Sequence, residues 1–267
     1  MPTNTEPTIQ QLFDLSGKTA LITGGTGWLG TSLSQALAEA GASVVVSSRD
    51  ADRAKQAARN LSTPGAATHH GVELDHTQPG SIADGFAAAV ATAGRIDILV
   101  NNGLDPIGHD LTDCTFEEFA RQQVNTAGYF ELARKLRDHV VERRGNGNVV
   151  MLGSMYGQVA SYPETYEGVA TASPVAYHAH KAGVIHMTRH LAAYYARDNV
   201  RVNCLSPGPF PNDKVNSTMR DRLCEKLPMK RMGAPYELKG ALLLLVSDAG
   251  SYITAQNITV DGGWTAW

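Results

Sequence analysis

Apolar residues gather in short, mostly continuous runs at 19–23, 43–47, 96–101, 148–152 and 201–205. Runs of this length, rich in Val, Ile and Leu, predict strands buried on both faces, the pattern of a parallel sheet. Between them the apolar positions recur at helical spacing over 29–40, 52–61, 81–92, 115–144 and 175–197. A weaker run at 69–72 predicts a third strand, and 257–260 a short last strand after a helix over 236–247. Strand and helix alternate, so each pair of strands is joined by a right-handed helical crossover. The expected fold is α/β: a doubly wound, mostly parallel sheet flanked by helices, one domain over 1–267 with an N-terminal extension at 1–16.

Composition narrows the function classes. The chain has 267 residues, 43% of them hydrophobic, and a formal charge of −3. Its charges are scattered, which leaves no basic footprint for nucleic acid and points to a small-molecule substrate. Cys114, Cys204 and Cys224 are odd in number and lack disulfide or metal spacing, which suits a reducing compartment. The polar start carries no basic-then-apolar leader, and the longest apolar stretch, 241–246, is far below the ~20 residues of a membrane span. A cytoplasmic protein without a membrane partner is expected.

The first candidate chemistry follows the first strand. Thr23-Gly24-Gly25-Thr26-Gly27-Trp28-Leu29-Gly30 leads from strand to helix. In that context a glycine turn lets backbone N–H groups approach a pyrophosphate at a helix N-terminus. Gly24, Thr26, Gly27, Trp28, Leu29 and Gly30 are therefore candidate cofactor contacts. The second strand ends in Ser47-Ser48-Arg49 where a ribose-binding acid is usual. An arginine fork holds phosphate oxygens where an acid would repel them, so Ser48 and Arg49 favour NADP(H) over NAD(H). Arg49 as a loop solvator, with Asp50 reaching a ribose, stays open. Asp75, after the third strand, is a candidate acceptor for an adenine amino group.

Tyr177 and Lys181 stand four apart within the predicted helix 175–197 and project from one face. An ammonium beside a phenol favours the phenolate and draws its pKa from ~10 toward the working range. Ser154 follows a strand, which places its hydroxyl at the carboxyl edge of the sheet to hold a substrate oxygen by Tyr177.

Together these pieces resemble the short-chain dehydrogenase/reductase family from Gly17 to Gly263. The matching stretches are the glycine turn, Leu74-Asp75, Asn101-Asn102-Gly103, Val124-Asn125, Gly153-Ser154, Tyr177 with Lys181, Pro207-Gly208 and Val260-Asp261-Gly262-Gly263. The resemblance implies a Rossmann fold and a catalytic tetrad of Asn125, Ser154, Tyr177 and Lys181. In it Tyr177 exchanges a proton while hydride moves between a secondary alcohol or ketone and nicotinamide. Tyr177 and Lys181 also contact the cofactor, as do Asn101, Pro207 and Gly208. Asn125 resembles the member that holds a water next to Lys181. A homotetramer or dimer is implied, paired through the helices 115–144 and 175–197.

Two departures stand out. Trp28 occupies a position where the compact branch of the family has glycine, and the Gly24, Gly27, Gly30 spacing resembles the extended branch that works on nucleotide sugars. Gly103 replaces a more usual alanine. The segment between Ser154 and Tyr177 is long and carries Tyr162, Glu164, Thr165, Tyr166, Glu167, Thr171 and Ser173. Those groups suit a sugar, sugar acid or polyol, and the segment resembles gluconate 5-dehydrogenase-like members; a surface or oligomer-contact loop is the alternative. Pro209, Phe210 and Pro211 stiffen a loop expected to cover the nicotinamide. Nucleotide-sugar epimerase or dehydratase chemistry, or dinucleotide sensing without turnover, are the rival functions. His186 and His190, four apart, lack the adjacent glutamate of a zinc-hydrolase helix, so no metal is expected, and His178 and His180 are read as packing or substrate contacts.

Overall fold

A computed structural model describes residues 6–169, 172–212 and 215–266. Thr171 of the substrate segment lies outside them. Seven strands form one parallel sheet: β1 Thr19–Ile22, β2 Ser43–Ser48, β3 His69–Glu73, β4 Ile98–Asn101, β5 Gly147–Leu152, β6 Val200–Pro207 and β7 Asn257–Val260. Their order across the sheet is β3-β2-β1-β4-β5-β6-β7. The winding reverses between β1 and β4, and the crevice outside the carboxyl ends of such strands is where a doubly wound sheet takes ligands.

The helices α1 Ile9–Phe13, α2 Trp28–Glu39, α3 Ala51–Arg59, α4 Pro79–Ala93, α5 Phe116–Glu142, α6 Pro163–Tyr166, α7 Val175–Tyr195, α8 Ser217–Lys226 and α9 Lys239–Val246 pack around the sheet, with short 3-10 turns between some of the elements. Successive strand residues divide between the two faces of the sheet. Leu21, Val45, Leu99 and Val149 join one core with Tyr129, Leu132 and Leu136 of α5 and Val184 of α7. Ala20, Ile22, Val44, Val46, Ile98 and Val100 join the other with Leu33 and Leu37 of α2 and Leu242 and Leu245 of α9. This double burial is why the strands read as continuous apolar runs. Among the described residues no helix is long and apolar enough to cross a membrane.

Three helices lay outside the sequence expectation. The extension at 1–16 holds α1, capped by a Thr8 and Gln11 box, and docks through buried Leu15, whose N–H donates to Ala40 O at 2.8 Å. The predicted helix 236–247 divides into a 3-10 turn, Pro235–Leu238, and α9. Helices α6 and α8 clamp each other above the carboxyl edge: Arg222 Nη1 donates to the carbonyls of Glu164, Thr165 and Glu167, and Lys226 pairs with Glu164 at 2.7 Å. Four residues of α6 carry too little periodicity to announce a helix.

Candidate active site

The glycine turn sits where β1 meets α2, and the packing explains its composition. Gly24 has φ +60°, a left-handed conformation that favours glycine. A Cβ on Gly30 would stand 2.1 Å from Gly24 O, and one on Gly27 3.2 Å from the same oxygen. Asn102 Nδ2 closes the turn from β4 by donating to Thr23 O at 3.1 Å and Gly24 O at 3.0 Å. No side chain caps the start of α2 and no acid stands in its first turn. A cleft of about 430 Å³ opens beside the turn, lined by Gly24, Thr26, Gly27, Trp28, Leu29 and Gly30 at one end and by Ser48, Arg49, Asp75 and His76 toward the other. Glycines without room for a Cβ, an uncapped helix start and a cleft of cofactor size fit a dinucleotide phosphate.

Arg49 extends from the end of β2 into that cleft, 67% exposed, with Nη1 3.4 Å from Asp105 Oδ1. Arg121 holds the other oxygen of Asp105 at 3.3 Å. Asp50 is committed elsewhere: its carboxylate caps α3, accepting from Asp52 N and Arg53 N. Ser48 Oγ accepts from Asp50 N at 3.2 Å. Asp75 accepts twice from Thr77, through N at 2.9 Å and Oγ1 at 2.7 Å. Burial pushes its carboxyl up, but those two bonds with His76 and Arg49 nearby outweigh it and hold the pKa below the usual value.

Asn101, expected to touch the cofactor, does not line this cleft. Its side chain is fully buried and donates to Tyr129 O at 3.0 Å, because alternate residues of a strand point to opposite faces. Its neighbours Asn102 and Gly103 line the cleft instead. Pro207 and Gly208 end β6 at the same edge, with Gly208 N bonded to Val260 O at 2.9 Å, and they too stand outside the cleft lining.

Ser154, Tyr177 and Lys181 come together at the carboxyl edge. Ser154 caps the single 3-10 turn Met155–Gly157, its Oγ accepting from Tyr156 N at 3.1 Å. It also stands near enough to the Tyr177 phenol to favour the phenolate. Burial is the larger influence and pushes the Tyr177 pKa up, with Tyr166 adding to the rise. Lys181 is buried, donates from Nζ to Leu152 O at 2.6 Å, and lies 5.7 Å from the centre of both the Tyr177 and Tyr129 rings. Burial pulls its ammonium down to about 8. The expected depression of Tyr177 by its lysine neighbour is thus not the dominant effect; the ammonium faces a carbonyl and the ring rather than the phenol oxygen.

Asn125 is fully buried in the middle of α5, and its amide is saturated. Oδ1 accepts from Asp105 N and from His76 Nε2, both at 2.8 Å, while Nδ2 donates to Asp105 O and Gln122 O. Since Oδ1 only accepts, His76 Nε2 is the donor, and burial lowers the pKa of the ring. No donor or acceptor of the Asn125 side chain turns to Lys181.

His76 drew no attention in the sequence, yet it explains Gly103. A Cβ there would lie 2.8 Å from His76 Nδ1, and one on Gly128 of α5 would lie 1.9 Å from His76 O. The signal available was only Gly103, whose partner His76 lies 27 residues earlier. His180 is packing: its Nδ1 meets Thr126 Oγ1 at 2.7 Å inside the core. His178 stacks on Tyr156 at 4.7 Å and bonds Ser173 Oγ at 3.0 Å. Tyr156 and Tyr166 share a 2.8 Å hydroxyl contact, so the segment after Ser154 brings a pair of phenols toward Tyr177. Glu164 instead turns outward to Lys226. Among the described residues no three His, Cys, Asp or Glu side chains are grouped to hold a metal.

Residues 28–265 match a family model described as enoyl-(acyl carrier protein) reductase. Galactitol 2-dehydrogenase of Rhizobium johnstonii is 34% identical, the alignment covering 97% of this chain and 99% of that protein. D-arabinitol 2-dehydrogenase (ribulose-forming) of Scheffersomyces stipitis is 32% identical over 96% of both. Among solved structures, a gluconate 5-dehydrogenase from Burkholderia cenocepacia in complex with NADP and tartrate superposes with TM-score 0.86 at 28% identity, covering 97% of this chain and 100% of that one.

Proposed function

The chain belongs to the short-chain dehydrogenase/reductase family, and on that premise we propose that it is an NADP(H)-preferring oxidoreductase of a sugar, sugar acid or polyol. The observation that carries the reading is the convergence of Ser154, Tyr177 and Lys181 at the carboxyl edge of the sheet whose glycine turn borders the cleft, although none of the three lines that cleft itself. A bound nicotinamide supplies the hydride acceptor or donor. Tyr177 exchanges the proton at the substrate oxygen through its phenol, and Ser154 Oγ holds that oxygen in reach. Lys181 keeps a cation next to the phenol and contacts the cofactor ribose, while Asn125 fixes the main chain of Asp105 and the imidazole of His76 beside the cleft. Arg49 receives the 2′-phosphate that distinguishes NADP(H). The paired phenols of Tyr156 and Tyr166 and the imidazole of His178 suit a substrate with several hydroxyl groups.

An exposed apolar row on α5, with Phe116 82% exposed and Phe119 and Phe130 beyond it, supports a homo-oligomer, a tetramer or dimer. The polyol dehydrogenases among the relatives weigh against nucleotide-sugar chemistry.

The test is nicotinamide absorbance with purified protein across sugars, sugar acids, polyols and simple ketones, repeated with Tyr177→Phe. Turnover of a polyhydroxylated compound with NADP(H), lost by at least 100-fold in the variant while NADPH still binds, is the expected result. Unchanged turnover in Tyr177→Phe removes the proposed base.

A further inference from the structure

Trp28 departs from the compact pattern of the glycine turn, and neither phosphate binding nor proton transfer uses its ring. It is the first residue of α2, 47% exposed, and part of the wall of the dinucleotide cleft. Its indole Nε1 donates to Phe210 O at 3.1 Å, joining positions 182 apart in sequence. Phe210 sits in the loop that leaves β6, and the far side of that loop is firmly held. Gly208 N donates to Val260 O, and Gly233 N to Pro209 O. The Phe210 ring lies so close on Gly233 that a Cβ there would fall 2.4 Å from it. Prolines on either side of Phe210 stiffen the loop further. The near side is tied to the phosphate turn through Trp28.

We propose that Trp28 is a positioning residue that straps the phosphate turn to the loop 207–211, so that a dinucleotide enters or leaves the cleft only when the Trp28–Phe210 bond opens. The inference rests on the cofactor reading above. Because the bond joins protein to protein, it contributes to the barrier for passage in both directions rather than to affinity. A glycine in its place, as in the compact branch, leaves the turn and the loop unlinked.

Stopped-flow binding of NADPH, with NADH in parallel, to the wild-type protein, Trp28→Phe and Trp28→Gly tests it. Phenylalanine keeps a ring and loses the donor. Loss of one hydrogen bond predicts release about two- to tenfold faster, with association accelerated by a similar factor and the dissociation constant held within about twofold. Trp28→Gly changes at least as much. Both variants fold, as read by a melting curve of the cofactor-free protein, because the ring is half exposed at a helix start. A release rate unchanged in both variants overturns the strap. So does faster release with association unchanged and the dissociation constant weakened by the same factor, which would make Trp28 a direct cofactor ligand. Failure of the wild-type protein to bind either dinucleotide refutes the cofactor reading, and the strap with it, and is distinguished by that control alone.

Discussion

Replacing Lys181 by methionine separates stability from activity at one atom. The ammonium is 4% exposed, and burial pulls its pKa from 10.5 to about 8. That fall corresponds to about 3 kcal/mol by which the charged form is disfavoured in the fold. Its direct hydrogen bond is to Leu152 O at 2.6 Å, and orphaning that carbonyl costs about 1–2 kcal/mol. Lys181→Met retains the stem volume and removes the charge, so a net gain of about 1–2 kcal/mol at pH 7 is expected, alongside loss of turnover. The pH dependence fixes the sign. The folded chain releases this proton near pH 8, whereas the unfolded chain keeps it to 10.5. Between those values the unfolded state binds more protons, so wild-type stability rises with pH, and below about 8 the full penalty is present. Methionine has no such rise. Urea unfolding of both proteins from pH 7 to 10 should therefore show the advantage of the variant shrink by about 2–3 kcal/mol. A variant less stable than wild type at pH 7, or a difference that does not change with pH, refutes the account of Lys181 as a desolvated charge held for function.

Two further substitutions probe the cleft. Arg49→Asp should weaken NADPH about ten- to a hundredfold in a titration while NADH changes less than threefold, since Asp105 keeps Arg121 and the local loop keeps its anchor; equal losses for both cofactors would count against a 2′-phosphate contact. Gly103→Ala should cost about 1–3 kcal/mol, because its Cβ would meet an imidazole that Asn125 holds in place. Combined with His76→Val it should cost at least about 1 kcal/mol less than the sum of the single changes, and strict additivity in that cycle would sink the proposed pairing.

Most of the fold was legible because double burial leaves a simple trace. Runs such as 44–46 and 149–152 are apolar without interruption, and helices cover the sheet there on both sides. The strand expected at 96–101 begins only at Ile98, where pairing with β1 and β5 supplies the ladder. Helices α6 and α8 escaped notice because partners elsewhere hold them in place, as Arg222 does for the carbonyls of α6, and a chain read locally does not display its distant donors. The same division runs through the site. Ser154, Tyr177 and Lys181 stand at recognisable spacings, and the structure brings them together. Asn101 was assigned to the cofactor from its place at a strand end, but its side chain faces α5. The Tyr177 pKa is raised chiefly because the phenol is buried, and a four-residue spacing to a lysine does not display that burial.

The departures from the family pattern carry information of another kind, because each is matched by a second residue far away in sequence. Gly103 lacks a methyl where His76 needs room, and His76 in turn holds the Oδ1 of Asn125 that also fixes Asp105. Asp105 then bridges Arg49 and Arg121 at the nucleotide end. One chain of contacts therefore runs from the middle of α5 to the arginine proposed to select the cofactor, and a substitution at any member alters the others. Trp28, in the wall of the same cleft, and Phe210 form a second such pair. Taken singly, a lost methyl and an exposed indole look like tolerated variation. As pairs they show that the cleft is supported by contacts between distant parts of the chain, so cofactor preference and cofactor exchange should respond to substitution at different residues, Arg49 for the first and Trp28 for the second. A change at Arg49 that altered exchange of both cofactors alike, or one at Trp28 that altered preference, would show that the two supports are mechanically one.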